Sequence, residues 1–411
     1  MGLLRDAREL SDGLVGLRRA IHADPEVGLQ LPRTQRRILD ALDGLGCEIT
    51  VGKELSSVVG VLRGGAADPG RPRPAVLLRA DMDALPIREQ SAVDFASRTD
   101  DMHACGHDLH VACLVGAARL LAARRDALPG DVVLMFQPGE EEWNGAAAML
   151  DEGVLTASGR QVDAAYALHV SADRLPAHRV ACRPGPFLSA STGFDVRVVG
   201  SGTHAATPHL GRDPVPATAE MIGALQTAVT RRFDAFDPVV LTVGVVRAGT
   251  RANIIPETAT FSGTVRTFSA ANQSRVPELI TETVTGIARA HGVRVDVDVT
   301  PGYPVTVNDA AETDRIRRVV TSMLGPDGYE EMPCPSVAAE DFSRILQRVP
   351  GAMFFLGACP EGRDPATAPS NHDPRAVFDD AVLPDGAALL AALAIDKLDD
   401  LTGRDRPAEP V

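Results

Sequence analysis

The chain has 411 residues, beyond the roughly 250 to 300 at which a single hydrophobic core usually divides, so two domains are expected. Hydrophobic residues at 45% and charged residues at 23% are ordinary for a folded globular protein, and a formal charge of -14 argues against a surface built for nucleic acid or anionic membrane. Six scattered cysteines (47, 105, 113, 182, 334 and 359), an amino terminus with no basic start and apolar core, and no run of about 18 apolar residues argue against a disulfide framework, export and membrane insertion, and predict a cytoplasmic protein acting on small molecules.

Amphipathic spacing over 9–21 and 34–44 predicts two helices. The apolar run 75–79 predicts a buried strand ending in Asp81-Met82-Asp83, whose two carboxylates leave on the same side. Then His103-Ala104-Cys105-Gly106-His107-Asp108-Leu109-His110 packs three imidazoles, a thiol and a carboxylate, all metal-ligand types, into eight residues. Helical spacing over 109–125 places this cluster in the loop that enters a helix. A second strand, 132–136, runs into Gln137-Pro138-Gly139-Glu140-Glu141-Glu142, and a third, 164–168, stops at His169. Three successive strands thus deliver carboxylate or imidazole at their carboxyl ends, where open α/β sheets bind ligands.

From about residue 190 the pattern changes to period two, in 194–198 and again in 293–297, as in half-buried antiparallel strands. Between them lie a helix at 214–233, strands at 239–246 and 258–266, and a helix at 272–290, the β-α-β-β-α-β order of a ferredoxin-like unit. After Pro301, a strand at 353–357 and a helix at 381–400 resume the earlier alternation, and the tail beyond Thr402 is polar. The expected architecture is a two-domain α/β protein: residues 1–187 and 301–411 around a central mixed sheet, with 188–300 inserted as the smaller domain.

A hydrolytic metal site needs N, O or S ligands in a fixed cage and a base that is not itself tied to the metal. Gly106, lacking a side chain, lets the chain turn sharply enough for Cys105 and His107 to reach one centre. Glu140 and Glu141 are neighbours at a strand end, so in extended chain they point to opposite sides and can serve two tasks. His169 ends its strand, and His372 lies in the turn-rich Ser370-Asn371-His372-Asp373-Pro374. Singly, each has an ordinary reading: a strand-end histidine is commonly hydrogen-bonded structure, and a glutamate pair after Pro-Gly is commonly a solvated turn. His103 and His110 suit either support of a ligand or packing, Cys113 suits the core, and Asp83 suits orienting an imidazole.

The segments Arg79-Ala80-Asp81-Met82-Asp83-Ala84-Leu85-Pro86-Ile87, Met102 to Asp108, Phe136 to Glu141 and Ser201-Gly202-Thr203-His204-Ala205-Ala206 resemble the M20 metallopeptidase family. They are most similar to its amidohydrolase branch, which includes N-acyl-amino-acid amidohydrolases, hippurate hydrolases and plant auxin-conjugate hydrolases. The resemblance continues through Ala252 to Pro256, Gly263 to Arg266, Ala339 to Phe342 and Asn371-His372, in order over about residues 10–400. It implies a zinc-peptidase-like catalytic domain with two divalent metal ions (Zn, Mn, Co or Ni) on Cys105, His107, Glu141, His169 and His372, with Asp83 beside them. It implies Glu140 as the general base that takes a proton from the attacking water and returns it to the leaving amine. It also implies a ferredoxin-like lid that mediates a homodimer or higher homo-oligomer and offers His204, Asn253 and Arg266 to substrate. The implied substrate is a small N-acyl amino acid, cut to a carboxylic acid and an amino acid. A dipeptidase or carboxypeptidase of the same fold is the alternative enzyme, and a non-catalytic metal- or ligand-binding protein the alternative of another class. Two departures stand out: Glu142-Trp143-Asn144-Gly145 replaces the glycine run that usually follows the glutamate pair, suggesting a narrower or more aromatic pocket, and Gln30-Leu31-Pro32 precedes Arg33-Thr34 where relatives commonly have a glutamate.

Overall fold

The computed structural model describes residues 2–68 and 70–404, so the predicted polar tail lies, from residue 405 on, outside the described residues. The chain divides into two compact units, Met1–Phe187 with Val307–Cys334 and Arg344–Val411, and Leu188–Thr306 with Pro335–Ser343. The segment 335–343, which the sequence pattern groups with the carboxy-terminal stretch, joins the smaller unit because Ser189 stitches it there. The Ser189 N–H donates to the carbonyls of Ser336 (3.1 Å) and Ala338 (2.9 Å), and its hydroxyl donates to that of Val337 (2.8 Å).

The larger unit is built on one eight-stranded sheet, its strands numbered here in chain order: β1 (Glu48–Val51), β2 (Val58–Leu62), β3 (Ala75–Asp81), β4 (Asp131–Gln137), β5 (Ala164–Pro176), β6 (Val180–Cys182), β7 (Tyr329–Glu331) and β8 (Gly351–Cys359). Their spatial order is β1-β2-β4-β3-β5-β8-β6-β7. The middle four, β4-β3-β5-β8, are parallel, while β1, β2 and β6 add antiparallel pairings outside them. Every residue of β3 and β4 is buried, which is why both read as continuous apolar runs without alternation. The helices His107–Ala122 and Leu383–Thr402 pack on each other and on this sheet, each with fourteen buried residues.

The predicted third strand is longer than its apolar core. It pairs with β3 only as far as Ala167, opposite Arg79, but stays paired with β8 as far as Pro176. His169 therefore sits level with Asp81, the last residue of β3, just past the point where the two strands stop pairing. The predicted helix at 34–44 is Pro32–Leu42, with proline in its first turn. Glu26 takes the place of a local cap there: its carboxylate accepts from the N–H groups of Arg33 (3.0 Å) and Thr34 (2.7 Å) and from the Thr34 hydroxyl (3.0 Å).

The helix Leu383–Thr402 is tied at its start to the turn after β5, where His178, at φ +66°, sets Nδ1 2.6 Å from Asp385 Oδ2. The hydrogen bond to Asp385 raises the His178 pKa against the opposing effect of partial burial. A raised folded pKa means this stabilisation is fully present below the unfolded value of about 6.5 and is lost as pH rises through the folded value. His178→Gln is therefore expected to lower the thermal midpoint at about pH 5 and to match wild type at about pH 9, by a small amount because the imidazole is half exposed. A gap between the two melting curves that is the same at both pH values would refute this.

The smaller unit runs Ala190–Val199, helix Pro214–Arg232, Val239–Ala248, Thr258–Thr267, helix Ala270–His291, Arg294–Pro301. The four strands form one antiparallel sheet in the spatial order second, third, first, fourth, the ferredoxin-like arrangement. Period two survives as burial: Phe194, Val196 and Val198 share a core with Phe261 of the neighbouring strand and with Met221 and Leu225 of the helix Pro214–Arg232. Among the described residues no helix is long and apolar enough to cross a membrane.

Candidate metal centre

The octapeptide is split between a loop and a helix. Gly106 at φ +84° is the residue before the helix, and His107 is the first residue inside it. A Cβ at Gly106 would lie 2.4 Å from Val170 Cγ2 and 3.1 Å from the Phe378 ring, so neither the turn nor its packing admits a side chain. This turn aims Cys105 and His107 at the same point. Cys105 Sγ lies 3.4 Å from His169 Nε2 and 3.3 Å from His372 Nε2, and His372 Nε2 is 3.1 Å from Glu141 Oε1. Donor atoms of Cys105, His107 and His169 fall within 4.8 Å of one another, as do those of Cys105, Glu141 and His372, and those of His107, Glu140 and Glu141. The five residues expected as ligands thus converge from four chain segments, with the thiol common to two of the groups and Glu140 beside them.

The groups that meet at this point shift one another's ionisation. Burial opposes ionisation of the Cys105 thiol, yet His169 and His107 facing it hold its pKa well below the usual thiol range. Burial likewise opposes charging His107, and the Asp81 carboxylate and the Cys105 sulfur raise it well above an ordinary imidazole. Hydrogen bonds to Cys105 and Glu141 push His372 up to about 10, and burial with the Cys105 charge pushes Glu141 up to about 7. His107 is fully buried, and its ring nitrogens, each 3.5 Å from a carboxylate of Asp81 or Asp83, make no hydrogen bond among the described residues, which is costly unless something else takes their lone pair or proton. A thiolate, three imidazoles and a carboxylate are donors for a divalent metal ion, and the residues fit such a group.

The neighbours of these groups set their orientation. Asp83 forks onto the glutamate pair, Oδ1 accepting from the Glu140 N–H at 3.0 Å and Oδ2 from the Glu141 N–H at 3.1 Å, and it also lies 3.5 Å from His107 Nδ1. His169 Nδ1 donates to the Val170 carbonyl at 2.8 Å, which leaves Nε2 bare toward Cys105. His110 does the reverse. The Val170 N–H donates to its Nε2 at 2.8 Å, so Nδ1 carries the proton and donates to Asp81 Oδ1. With both nitrogens hydrogen-bonded and burial lowering its pKa to about 4, His110 stands between the His107 and His169 rings. His103 is buried, held neutral by that burial with a pKa of about 3, and Cys113 is core.

A second buried network escaped the sequence reading. Asp108 Oδ2 is 2.9 Å from Arg18 Nε and 2.7 Å from His22 Nδ1, and His22 Nε2 is 3.1 Å from Glu89 Oε1. The signal was present: Arg18 stands on the Leu14–Ile21 stripe of an amphipathic helix, and both it and His22 are buried. Trp143 lies with its indole over Gly28, where a Cβ would meet the ring at 3.3 Å, and remains about half exposed.

In the smaller unit, His204 and Ile254 pair in a short two-stranded ribbon, and the Ala205 N–H donates to the Asn253 carbonyl, so His204 and Asn253 stand together at one exposed end. The Ala206 N–H donates to His204 Nδ1 at 3.0 Å. Arg266 is elsewhere, on the strand Thr258–Thr267 between Val240 and Ser191, half-buried and, among the described residues, without an ion-pair partner.

Residues 77–396 match the peptidase family M20/M25/M40. The chain belongs to this family. It is 35% identical to thermostable carboxypeptidase 2 of Saccharolobus solfataricus, over 96% of this chain and 97% of that one. It is 37% identical to IAA-amino acid hydrolase ILR1-like 2 of Arabidopsis thaliana, over 95% of this chain and 86% of that one. Among solved structures it is similar to the Bacillus subtilis YXEP protein, described as a dinuclear metal binding peptidase from the M20 family, with a TM-score of 0.79 and 29% identity over 95% of this chain and 99% of that one. A mixed α/β two-unit architecture is common to this chain and its M20 neighbours.

Proposed function

We propose that this M20 family hydrolase cleaves the amide bond of N-acyl amino acids, releasing a carboxylic acid and an amino acid. The observation that carries it is the convergence of Cys105, His107, Glu141, His169 and His372 with Glu140 beside them. Two divalent ions, Zn, Mn, Co or Ni, bound on those five residues would supply Lewis acidity to the amide carbonyl and to water. Glu140 takes the proton of the attacking water and delivers it to the nitrogen of the leaving amine, a task that requires it to stay off the metal. Asp83 holds the glutamate pair in position through the two backbone N–H groups, so that Glu141 and Glu140 keep different directions. Half-buried Arg266 suits the carboxylate of the amino-acid product, while His204 and Asn253 suit the developing oxyanion.

Several further features of this reading have support in the fold. Val240, Val245 and Val246 are exposed on the edge strand Val239–Ala248, which supports a homodimer or higher homo-oligomer through the smaller unit. We place the protein in the cytoplasm, where six free thiols would stay reduced. The carboxypeptidase reading is favoured by the Saccharolobus relative. Incubating the metal-loaded protein with N-acetyl, N-benzoyl and N-acyl-aromatic amino acids alongside dipeptides separates the two: turnover of the acylated amino acids is expected, and cleavage of dipeptides alone would sink the amidohydrolase assignment in favour of the peptidase one.

A further inference from the structure

Asn371, the neighbour of His372, makes three hydrogen bonds with one carboxamide. Its Oδ1 accepts from the Ala172 N–H at 2.9 Å, and its Nδ2 donates to the carbonyls of Val170 (3.0 Å) and Cys105 (3.1 Å). Pairing with Val170 O and Ala172 N is what the main chain of an added strand would do along β5, and here a side chain does it beyond the end of β3. The two N–H protons are thereby both spent on carbonyls, while Nδ2 also stands 3.9 Å from Cys105 Sγ. One planar group thus ties together the three segments that carry Cys105, His169 and His372. The loop bearing it is held further by the His372 N–H donating to the Ala104 carbonyl at 2.9 Å and by the Gln90 N–H donating to the Pro374 carbonyl at 2.7 Å, with His372 itself at φ +70°.

From this placement we infer that Asn371 is a positioning residue of the metal centre: it sets the distance of the Cys105 sulfur from the His169 and His372 imidazoles. The inference rests on the ligand assignment given under Proposed function. Two consequences follow from the bonding. The Val170 carbonyl receives both the Asn371 amide and the His169 Nδ1–H, so moving one moves the other. The donor character of Nδ2 matters more than the size of the side chain, because the two atoms it faces are both carbonyl oxygens.

Asn371→Asp tests this, since it keeps the shape and the acceptor for the Ala172 N–H but replaces the donor by an oxygen pointed at two carbonyls. The probe is cobalt(II), loaded into wild type, Asn371→Asp and Cys105→Ser, with the thiolate-to-cobalt absorption measured per bound cobalt beside kcat and KM. In Asn371→Asp this band is expected to weaken or shift and cobalt affinity to fall about 10- to 100-fold, as for other residues that orient metal ligands. kcat should drop while KM stays within about twofold, because the substrate-facing groups are untouched. A residue with only a structural role would lower the melting temperature and leave the band per bound cobalt and kcat as in wild type, and that result overturns the inference. Asn371→Ala, which adds no charge, is read by the same criteria if Asn371→Asp does not fold. A wild-type spectrum with no thiolate band, indistinguishable from that of Cys105→Ser, would instead overturn the ligand assignment itself and the inference with it.

Discussion

Glu140→Gln is expected to lower kcat by about 10²- to 10⁴-fold on whichever N-acyl amino acid the wild type turns over, with metal content unchanged. The substitution is nearly isosteric and leaves the backbone N–H that Asp83 holds, so the geometry of the glutamate pair survives. What is lost is a carboxylate able to accept a proton from water and return it to the amine, and an amide side chain can do neither. Glu140 is buried, so water cannot readily substitute for it. KM should change little, because the proton transfer is made only on the way to the transition state. Metal analysis of the purified variant separates this outcome from the trivial one of an empty site. Near wild-type turnover with full metal content would remove Glu140 from the role of base.

Gly106→Ala is expected to cost the protein both stability and metal. A non-glycine residue at φ +84° is strained by about 1–3 kcal/mol before any contact is considered. The new Cβ would also meet Val170 Cγ2 at 2.4 Å, well inside contact distance, so Val170 must move. Val170 is a poor residue to displace. Its N–H fixes His110, and its carbonyl holds His169 and Asn371. Strain at one turn therefore spreads to His169 on β5, and the expected result is a lower thermal midpoint together with a fall in bound metal at equal metal concentration. An alanine substitution that melts and binds metal like wild type would show that the turn tolerates a side chain and that Gly106 is not what aims Cys105 and His107.

Much of the architecture is legible along the chain because burial leaves a period behind. The continuous apolar runs of β3 and β4 read as strands covered on both faces, and Phe194, Val196 and Val198 as a strand covered on one. The ligand types were equally visible, since thiol, imidazole and carboxylate cluster at the ends of apolar runs. Contacts that join distant segments leave no such trace. β5 runs past its apolar core because its last residues are held by pairing with β8, not by their own apolar character. Nothing in the spacing of His103, His107 and His110 separates their fates. The Val170 N–H and Asp81 carboxylate take up both nitrogens of His110, whereas His107, 3.5 Å from Asp81 and Asp83, makes no hydrogen bond among the described residues.

Periodicity and side-chain chemistry are local properties, so the order of residues alone carries which elements form, that a ferredoxin-like unit interrupts an α/β one, and which side chains can bind a divalent ion. Tertiary structure decided which of those residues meet. His372 reaches Cys105 across most of the chain because β5 continues past β3 and leaves an edge that the Asn371 carboxamide can occupy. Direction and distance at that edge are set by hydrogen bonds between segments far apart in sequence, and these exist only once the sheet has formed.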